Sequence, residues 1–267
     1  MMQIFPTQPQ SDSILTTLFK QSTPHFKPPT QVHPGNEDGD GFGHIAFNTD
    51  DVYKSSAKLL DAGIDFKKKP DEGRMKGLAF AYSHTDKYWI ELVKRGENSG
   101  IKEEFNLSQT MLRVKDPVQS IAFYESLGMT KVYEHKFDSF ALYFLASLPE
   151  GVVAPPADSG DEARTFIKNM HSPLLELTHN FGTEENADFT HFNGNEEGRQ
   201  GFGHLGFLVD DVELACADLV HNGCVFKKEP NAGTMKGLAF VLDPDGYSVE
   251  IIKRGGYDDD NAQPFYY

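Results

Sequence analysis

The chain has 267 residues, of which 40 are acidic and 25 basic, giving a formal net charge of −15 at pH 7. Such an acidic chain repels phosphate backbones, which excludes nucleic acid as its expected partner. No apolar run reaches the roughly 18 residues that span a bilayer, and the amino terminus lacks a signal-peptide pattern. We therefore expect a cytoplasmic protein without membrane contact.

Taken in chain order, residues 1–31 come first and are predicted to be a poorly structured remnant, because they are proline-rich and lack the patterns of later segments. Residues 32–100 predict one βαβββ module, which we interpret as an incomplete domain. Its first strand is GHIAF, Asp50–Asp51 opens its helix, and Gly63 ends that helix. Three strands follow: DFKKK, GLAFAY and YWIELVK.

Residues 101–257 predict a complete domain of two further modules, and residues 258–267 an acidic tail. The second module runs from the strand QTMLRVKD through a helix between Pro117 and Gly128 to the strand PLLELTHN. Within it, residues 152–163 are predicted to be a surface loop. The third module repeats the first: 22 of 40 positions are identical between residues 41–80 and 201–240. The fold class predicted is α+β, with βαβββ modules pairing into open curved sheets around a metal site.

Polar residues interrupt apolar strands at six positions, which are Gln109, Glu176, His44, Glu91, His204 and Glu250. A buried carboxylate needs a partner or a metal. A lone strand histidine is more often an ordinary core residue, but here a His-then-Glu pair occurs twice at matched spacing. Three oxygen donors and one imidazole suit a divalent cation. The pattern therefore predicts a metal site.

Several strings together resemble the eukaryotic glyoxalase I (lactoylglutathione lyase) family of the vicinal-oxygen-chelate superfamily. They are QTMLRVKD, LELTHNFGTE, GFGHLGF and PNAGTMKGLAFVLDPDGYSVEI. The arrangement is similar to the tandem two-domain type, shortened at the amino end. The resemblance implies glutathione-dependent isomerisation of the methylglyoxal hemithioacetal to S-lactoylglutathione, by metal-assisted proton transfer through an enediolate, in methylglyoxal detoxification. A small-molecule substrate is thus the expected partner.

The resemblance also implies roles for individual residues. The metal ligands would be Gln109, Glu176, His204 and Glu250, and again His44 and Glu91. The catalytic carboxylates would be Glu250 or Glu91, with Glu176 opposite. Glutathione would be held by Arg113, Asn180, Arg199, Lys228 and Lys68, and by the loop residues Met235, Lys236, Met75 and Lys76. One divalent metal per site is expected, zinc first and nickel or cobalt as alternatives, with glutathione as cosubstrate.

Some alternatives stay open from the sequence. Either His44 and Glu91 or His204 and Glu250 could complete the Gln109–Glu176 pair, in a monomer or across a homodimer. Asp40 stands where the family has an arginine, so a catalytically impaired or non-catalytic homologue that binds glutathione conjugates is the alternative function. An iron-dependent dioxygenase is disfavoured, because the first ligand position holds Gln109 and not histidine.

Overall fold

A computed structural model of the chain describes residues 32–255. The predicted remnant at 1–31 and the predicted tail at 258–267 lie outside the described residues. Within the described part, three successive βαβββ modules follow one another, as the repeat predicted. No helix between residues 32 and 255 is long and apolar enough to cross a membrane.

The first module contains one helix and four strands. These are β1 (Phe42–Thr49), α1 (Val52–Asp61), β2 (Phe66–Lys68), β3 (Ala79–Tyr82) and β4 (Trp89–Lys94). The Asp51 carboxylate accepts a hydrogen bond from the Lys54 amide, so it caps the otherwise unpaired first turn of α1. Gly63 follows the helix with a φ of 82°, a conformation that glycine adopts without steric cost. The predicted start and end of this helix are confirmed.

The second module has an additional helix. Its elements are β5 (Asn106–Arg113), α2 (Pro117–Ser126), β6 (Thr130–Lys136), β7 (Phe140–Ala146), α3 (Asp161–Lys168) and β8 (Leu174–Asn180). The predicted loop at 152–163 is wrong for its last three residues, which open α3. Two carboxylates in the first turn favour this helix, and apolar residues at 163, 166 and 167 form one face.

The third module repeats the first element by element. It comprises β9 (Leu205–Val209), α4 (Val212–His221), β10 (Val225–Lys228), β11 (Ala239–Leu242) and β12 (Ser248–Lys253). Asp211 caps α4 through the Leu214 amide, as Asp51 caps α1. The shared sequence of the two copies therefore produces the same local structure in both.

Strand pairing joins the first two modules into one sheet. The order is β2-β3-β4-β1-β5-β8-β7-β6, with β1 and β5 antiparallel at the centre. The third module forms a separate four-stranded sheet in the order β10-β11-β12-β9. Sheet pairing thus crosses the predicted boundary between residues 100 and 101. The division into an incomplete and a complete domain stays a prediction.

The third module packs on the second through a shared apolar core. Leu112, Phe123 and Tyr124 contact the same buried cluster as Leu219 and Val249. Tyr124 also donates a 2.8 Å hydrogen bond to Asp243, which satisfies a hydroxyl that has no access to water. The second module therefore pairs with the first through its sheet and with the third through its helix α2.

Candidate metal centre

Four of the predicted ligands converge at the centre of the eight-stranded sheet. They lie on the four adjacent strands β4, β1, β5 and β8, one ligand per strand. Ala46 lies opposite Glu91 on one side and Gln109 on the other, and Met111 lies opposite both His44 and Glu176. These registers bring the ligand side chains onto one face of the sheet, because side chains alternate along each strand.

The donor atoms lie close together and are buried. His44, Glu91 and Glu176 each offer a ligand atom within 4.8 Å of the others. His44 Nε2 is 3.1 Å from Glu91 Oε2 and 3.6 Å from Glu176 Oε2. The Gln109 amide donates to both carboxylates, at 3.1 Å to Glu91 and 2.6 Å to Glu176. The structure thus groups His44 and Glu91 with Gln109 and Glu176.

The donor set fits a divalent cation. His44 Nε2 is buried and makes no hydrogen bond of good geometry, although a carboxylate oxygen lies within reach. Such an arrangement points the nitrogen at a common centre and not at one partner. The two ends of the Gln109 amide have the same shape, so this side chain can present an oxygen at the place where its nitrogen lies. One imidazole and three oxygens match the preferences of zinc, nickel and cobalt.

The electrostatics of the cluster favour positive charge. Burial alone lowers the pKa of His44, but the carboxylates of Glu91 and Glu176 outweigh it and raise the pKa to about 10. Two buried carboxylates with an amide between them create a strong negative potential in a medium of low dielectric constant. A bound cation would relieve the repulsion between these carboxylates.

The centre opens into a cavity of about 360 Å³. One side of the cavity is apolar and aromatic, with Phe137, Phe140 and Phe144 from the second module. Met75 reaches in from the loop between β2 and β3, with half of its side chain exposed. A small organic substrate could therefore contact the four ligands while its apolar part lies on the aromatic wall. These three phenylalanines are functional candidates that the sequence did not reveal. The alternation of apolar residues in FALYFLA was the available signal for Phe140 and Phe144.

The remaining predicted ligands lie elsewhere. His204 and Glu250 belong to the third module, where His204 Nε2 is 3.3 Å from Glu250 Oε2. The structure does not bring this pair to Gln109 and Glu176. Of the two groupings that the sequence left open, the observed one is the grouping with His44 and Glu91.

The predicted glutathione-binding residues take several positions. Arg113 donates to the side chain of Asn36 at 2.9 Å and to the Asp40 and Phe42 carbonyls at 3.3 Å. Asn180 is exposed at the end of β8. Arg199 lies 4.0 Å above the Phe192 ring and 3.3 Å from the Asp40 carboxylate. Asp40 is therefore buried and paired with an arginine, so its charge does not stand alone.

The loop between β2 and β3 and the corresponding loop between β10 and β11 have matching internal contacts. Lys68 donates to the Leu78 carbonyl at 2.7 Å, and Lys228 donates to the Leu238 carbonyl at 2.6 Å. Lys76 and Lys236 each donate to the carbonyl five residues upstream, and Met235, like Met75, is about half exposed. Burial lowers the pKa of both Lys68 and Lys228. Whether these residues hold glutathione stays a prediction.

Comparison with known proteins places these features in context. The family model described as Glyoxalase/Bleomycin resistance protein/Dioxygenase superfamily matches residues 8–92 and 106–251. The chain is 39% identical over 247 residues to a lactoylglutathione lyase of Schizosaccharomyces pombe, covering 91% of this chain and 76% of that protein. It is 39% identical over 241 residues to a glyoxalase I of Saccharomyces cerevisiae, covering 85% of this chain and 69% of the relative.

A solved structure shares the architecture as well as the sequence. The crystal structure of glyoxalase I from Zea mays superposes with a TM-score of 0.60 at 25% sequence identity. The match covers 84% of this chain and 69% of the maize chain. The α+β fold of paired modules, which the sequence predicted, is confirmed by this likeness.

Proposed function

This chain belongs to the Glyoxalase/Bleomycin resistance protein/Dioxygenase superfamily, and on that premise we propose that it acts as a glyoxalase I. The reaction converts the hemithioacetal of methylglyoxal and glutathione into S-lactoylglutathione, which detoxifies methylglyoxal. Two relatives that carry the name lactoylglutathione lyase are 39% identical to this chain over 247 residues and 43% identical over 153 residues. The observation that carries the proposal is the convergence of His44, Glu91, Gln109 and Glu176 on one buried point.

These four side chains would hold the divalent cation, which we propose to be zinc, with nickel and cobalt as alternatives. When bound, the cation supplies Lewis-acid stabilisation of the negative charge that develops on the substrate oxygens. His44 fixes one side of the site against the Phe80 ring, at a centroid distance of 5.3 Å. Gln109 contributes a neutral amide, which limits the total negative charge of the ligand set.

We assign the proton transfer to the carboxylates. Glu91 takes the proton from the carbon that bears sulfur, and the electron pair forms the double bond of an enediolate. The protonated Glu91 then returns this proton to the adjacent carbon, formerly the ketone carbon, which regenerates the carboxylate. The hydroxyl proton of the first carbon moves to the oxygen of the second, so the thioester forms with no external oxidant. Glu176 lies across the cluster and shares the ligand-holding role.

The shape and apolar lining of the cavity suit a substrate with a small neutral substituent. Phe137 and Phe140 stack at 4.4 Å between ring centroids and form a wall that excludes water from the reacting carbons. The methyl group of methylglyoxal would lie on this wall. Glutathione would extend toward the loop of Lys68, Met75 and Lys76 and toward Arg113 and Asn180, with Arg199 near Asp40. In the third module, Lys228, Met235 and Lys236 would serve the same function for a second site.

The predicted cellular setting follows from the same proposal. A glutathione conjugate is a small soluble partner, and we propose that the chain meets it in the cytoplasm. Neither nucleic acid nor a membrane enters this reaction.

The test is thioester formation from methylglyoxal and glutathione by the purified zinc-loaded chain. Substitution Glu91→Gln keeps the shape of the side chain but removes its basicity, so kcat is expected to fall by about 10²- to 10⁴-fold. Glu213→Gln on the exposed first turn of α4 is the matched control and leaves kcat unchanged. A Glu91→Gln enzyme with the kcat of the unmodified chain would contradict the assignment.

A further inference from the structure

The first and third modules contact each other through equivalent residues of the repeat. Phe42 of the first module and Phe202 of the third stack with their ring centroids 5.0 Å apart. Each ring also meets a tyrosine of its own module edge-on at 5.9 Å, Tyr88 for Phe42 and Tyr247 for Phe202. The contact therefore has approximate twofold symmetry, with one aromatic pair from each copy.

The two tyrosines differ in their surroundings. Tyr247 is fully buried, whereas Tyr88 is half-buried. The Tyr247 hydroxyl donates a 2.8 Å hydrogen bond to the backbone carbonyl of Arg113, the last residue of β5. A phenol hydroxyl without access to water needs such an acceptor. The third module thus contacts the strand that also carries the metal ligand Gln109.

A glycine of the first module makes room for this hydroxyl. A Cβ at Gly41 would overlap the Tyr247 oxygen and lie 3.0 Å from the Phe192 carbonyl oxygen. Gly41 is not among the glycines with positive φ, so space and not backbone conformation requires glycine here. Its carbonyl accepts from the Arg113 amide at 2.8 Å. Gly41, Arg113 and Tyr247 therefore form one buried contact at which all three modules meet.

The backbone around Arg113 is held from several sides. Its N–H is bound by the Gly41 carbonyl, and its C=O is bound by the Tyr247 hydroxyl. The next amide, that of Val114, donates to the Thr178 carbonyl at 2.9 Å. The peptide group between Arg113 and Val114 is thus fixed at its N–H end by the sheet and at its C=O end by the third module.

The side chain of Arg113 is placed to meet a ligand beside the metal centre. Arg113 lies on the same face of β5 as Gln109, four residues or about 13 Å further along the strand. Its guanidinium donates to the Asn36 side chain and to the Asp40 and Phe42 carbonyls. These contacts within residues 32–255 use three of its five N–H donors, so two remain for a carboxylate.

We propose that Tyr247 is a positioning residue for the first-module site. Its hydroxyl fixes the backbone of Arg113, and thereby the direction from which the guanidinium binds a carboxylate of glutathione. This inference rests on the proposed function, in which Arg113 contacts glutathione. The third module then assists the centre at His44 and Glu91 by holding a residue that binds the cosubstrate.

Loss of the hydroxyl should weaken binding and leave the chemical step intact. In Tyr247→Phe the Arg113 carbonyl loses its donor, so the peptide group can tilt and the guanidinium starts from a variable point. Ordering this arginine again on binding lowers the affinity for the ligand. Glu91 lies on β4, away from this contact, and keeps its position relative to the other metal ligands.

Steady-state kinetics and direct binding with the zinc-loaded full chain test the proposal. Tyr247→Phe is expected to raise KM for the hemithioacetal by about 3- to 10-fold, the range that one hydrogen bond supports, and to change kcat by less than about twofold. Titration calorimetry with S-methylglutathione, a thioether that cannot react, should show an equal rise in Kd. The Kd decides the role of Tyr247 even if the unmodified chain forms no thioester, a result that would contradict the proposed function alone.

Two further variants separate positioning from general loss of stability. Tyr124→Phe removes another buried hydroxyl between the second and third modules, but its acceptor is Asp243. It should lower the unfolding free energy by a similar amount and leave KM and Kd unchanged. In an Arg113→Ala background, Tyr247→Phe should cause no further rise in Kd.

Three results would overturn the proposal. The first is an unchanged Kd in Tyr247→Phe. The second is an equal rise of Kd in Tyr124→Phe, which would mean that any loss of stability at this contact weakens binding. The third is a full additional rise when Tyr247→Phe is combined with Arg113→Ala, because the hydroxyl would then act through another residue.

Discussion

The first and third modules share most of their sequence but differ in what lies beside their first strand. In the first module, β1 pairs with β5, and His44 and Glu91 face a second pair of ligands across that contact. In the third module, β9 pairs only with β12 among the described residues, and 44% of the His204 side chain is exposed, against 6% for His44. The local structure of a half-site therefore follows from its own residues, whereas the complete site requires the neighbouring module.

The largest expected difference between the two copies is catalytic. Glu91→Gln should lower kcat by about 10²- to 10⁴-fold, because the substrate carbon loses its general base. Glu250→Gln should change kcat by less than about tenfold, because Glu250 lies in a separate sheet from the assembled centre. The kcat of thioester formation by the two variants, measured at the same zinc concentration, tests which substitution has the larger effect. An equal fall in kcat in both variants would mean that the first and third modules contribute equally to catalysis.

Binding of the cation should stabilise the chain through the first copy. A ligand at 100 times its Kd stabilises the folded state by about 2.7 kcal/mol. We expect zinc to raise the unfolding free energy of the unmodified chain by about this amount, and to have a much smaller effect on His44→Ala. Denaturant titrations with zinc and with EDTA measure the difference. If zinc raises the unfolding free energy of His44→Ala as much as that of the unmodified chain, then the main zinc site lies elsewhere.

The turn between β11 and β12 of the third module should respond to pH, whereas the corresponding turn of the first module should not. Asp243 caps its β-turn and accepts from the Tyr247 amide, and Ser83 makes the equivalent contact with Tyr88 in the first module. Burial raises the pKa of Asp243 from its ordinary 3.8 to about 7, so the folded chain holds a proton that the unfolded chain releases. The resulting stability is full below about pH 4 and is lost as the pH rises through about 7.

Asp243→Asn keeps a neutral side chain at every pH and should remove this dependence. We expect the difference in unfolding free energy between the variant and the unmodified chain to change by roughly 1–3 kcal/mol between pH 4 and 7. Ser83→Ala, the matched substitution in the first module, should show no such change. If the difference for Asp243→Asn stays constant with pH, then Asp243 is ionised throughout.

The smallest expected effect on the free energy of unfolding comes from Gly206, the glycine inside β9. Gly206 stands where the first copy has Ala46, and a Cβ at Gly206 would meet its nearest neighbour, Glu250 Oε2, at an ordinary 3.9 Å. Gly206→Ala should therefore stabilise the chain by about 0.4–1 kcal/mol, because alanine restricts the unfolded state. Urea denaturation of the variant and the unmodified chain shows whether the free energy of unfolding rises or falls. A loss of stability would show that the strand needs the freedom of glycine.

The sequence predicted the local parts of this molecule well. Strand alternation, the caps Asp51 and Asp211 and the glycines after the helices are short-range signals, and the repeat supplied them twice. The six candidate ligands were identified because polar residues interrupt apolar strands. All of them lie on strands or at a strand start, in the three modules.

The sequence did not predict how the modules pair. The grouping of Gln109 with His44 depends on antiparallel contact between β1 and β5, and nothing local distinguishes this contact from one with β9. Helix α3 was missed because its start lies next to a stretch rich in proline and glycine. The contact of Arg113 with Asn36 was also unforeseen, since it links residues 77 positions apart.

The most direct test of the central claim is an anomalous difference map at the zinc edge from crystals grown with Zn²⁺. A peak within coordination distance of His44, Glu91, Gln109 and Glu176 is the result we expect. If these four side chains surround no peak while zinc binds elsewhere on the chain, the proposed centre is wrong.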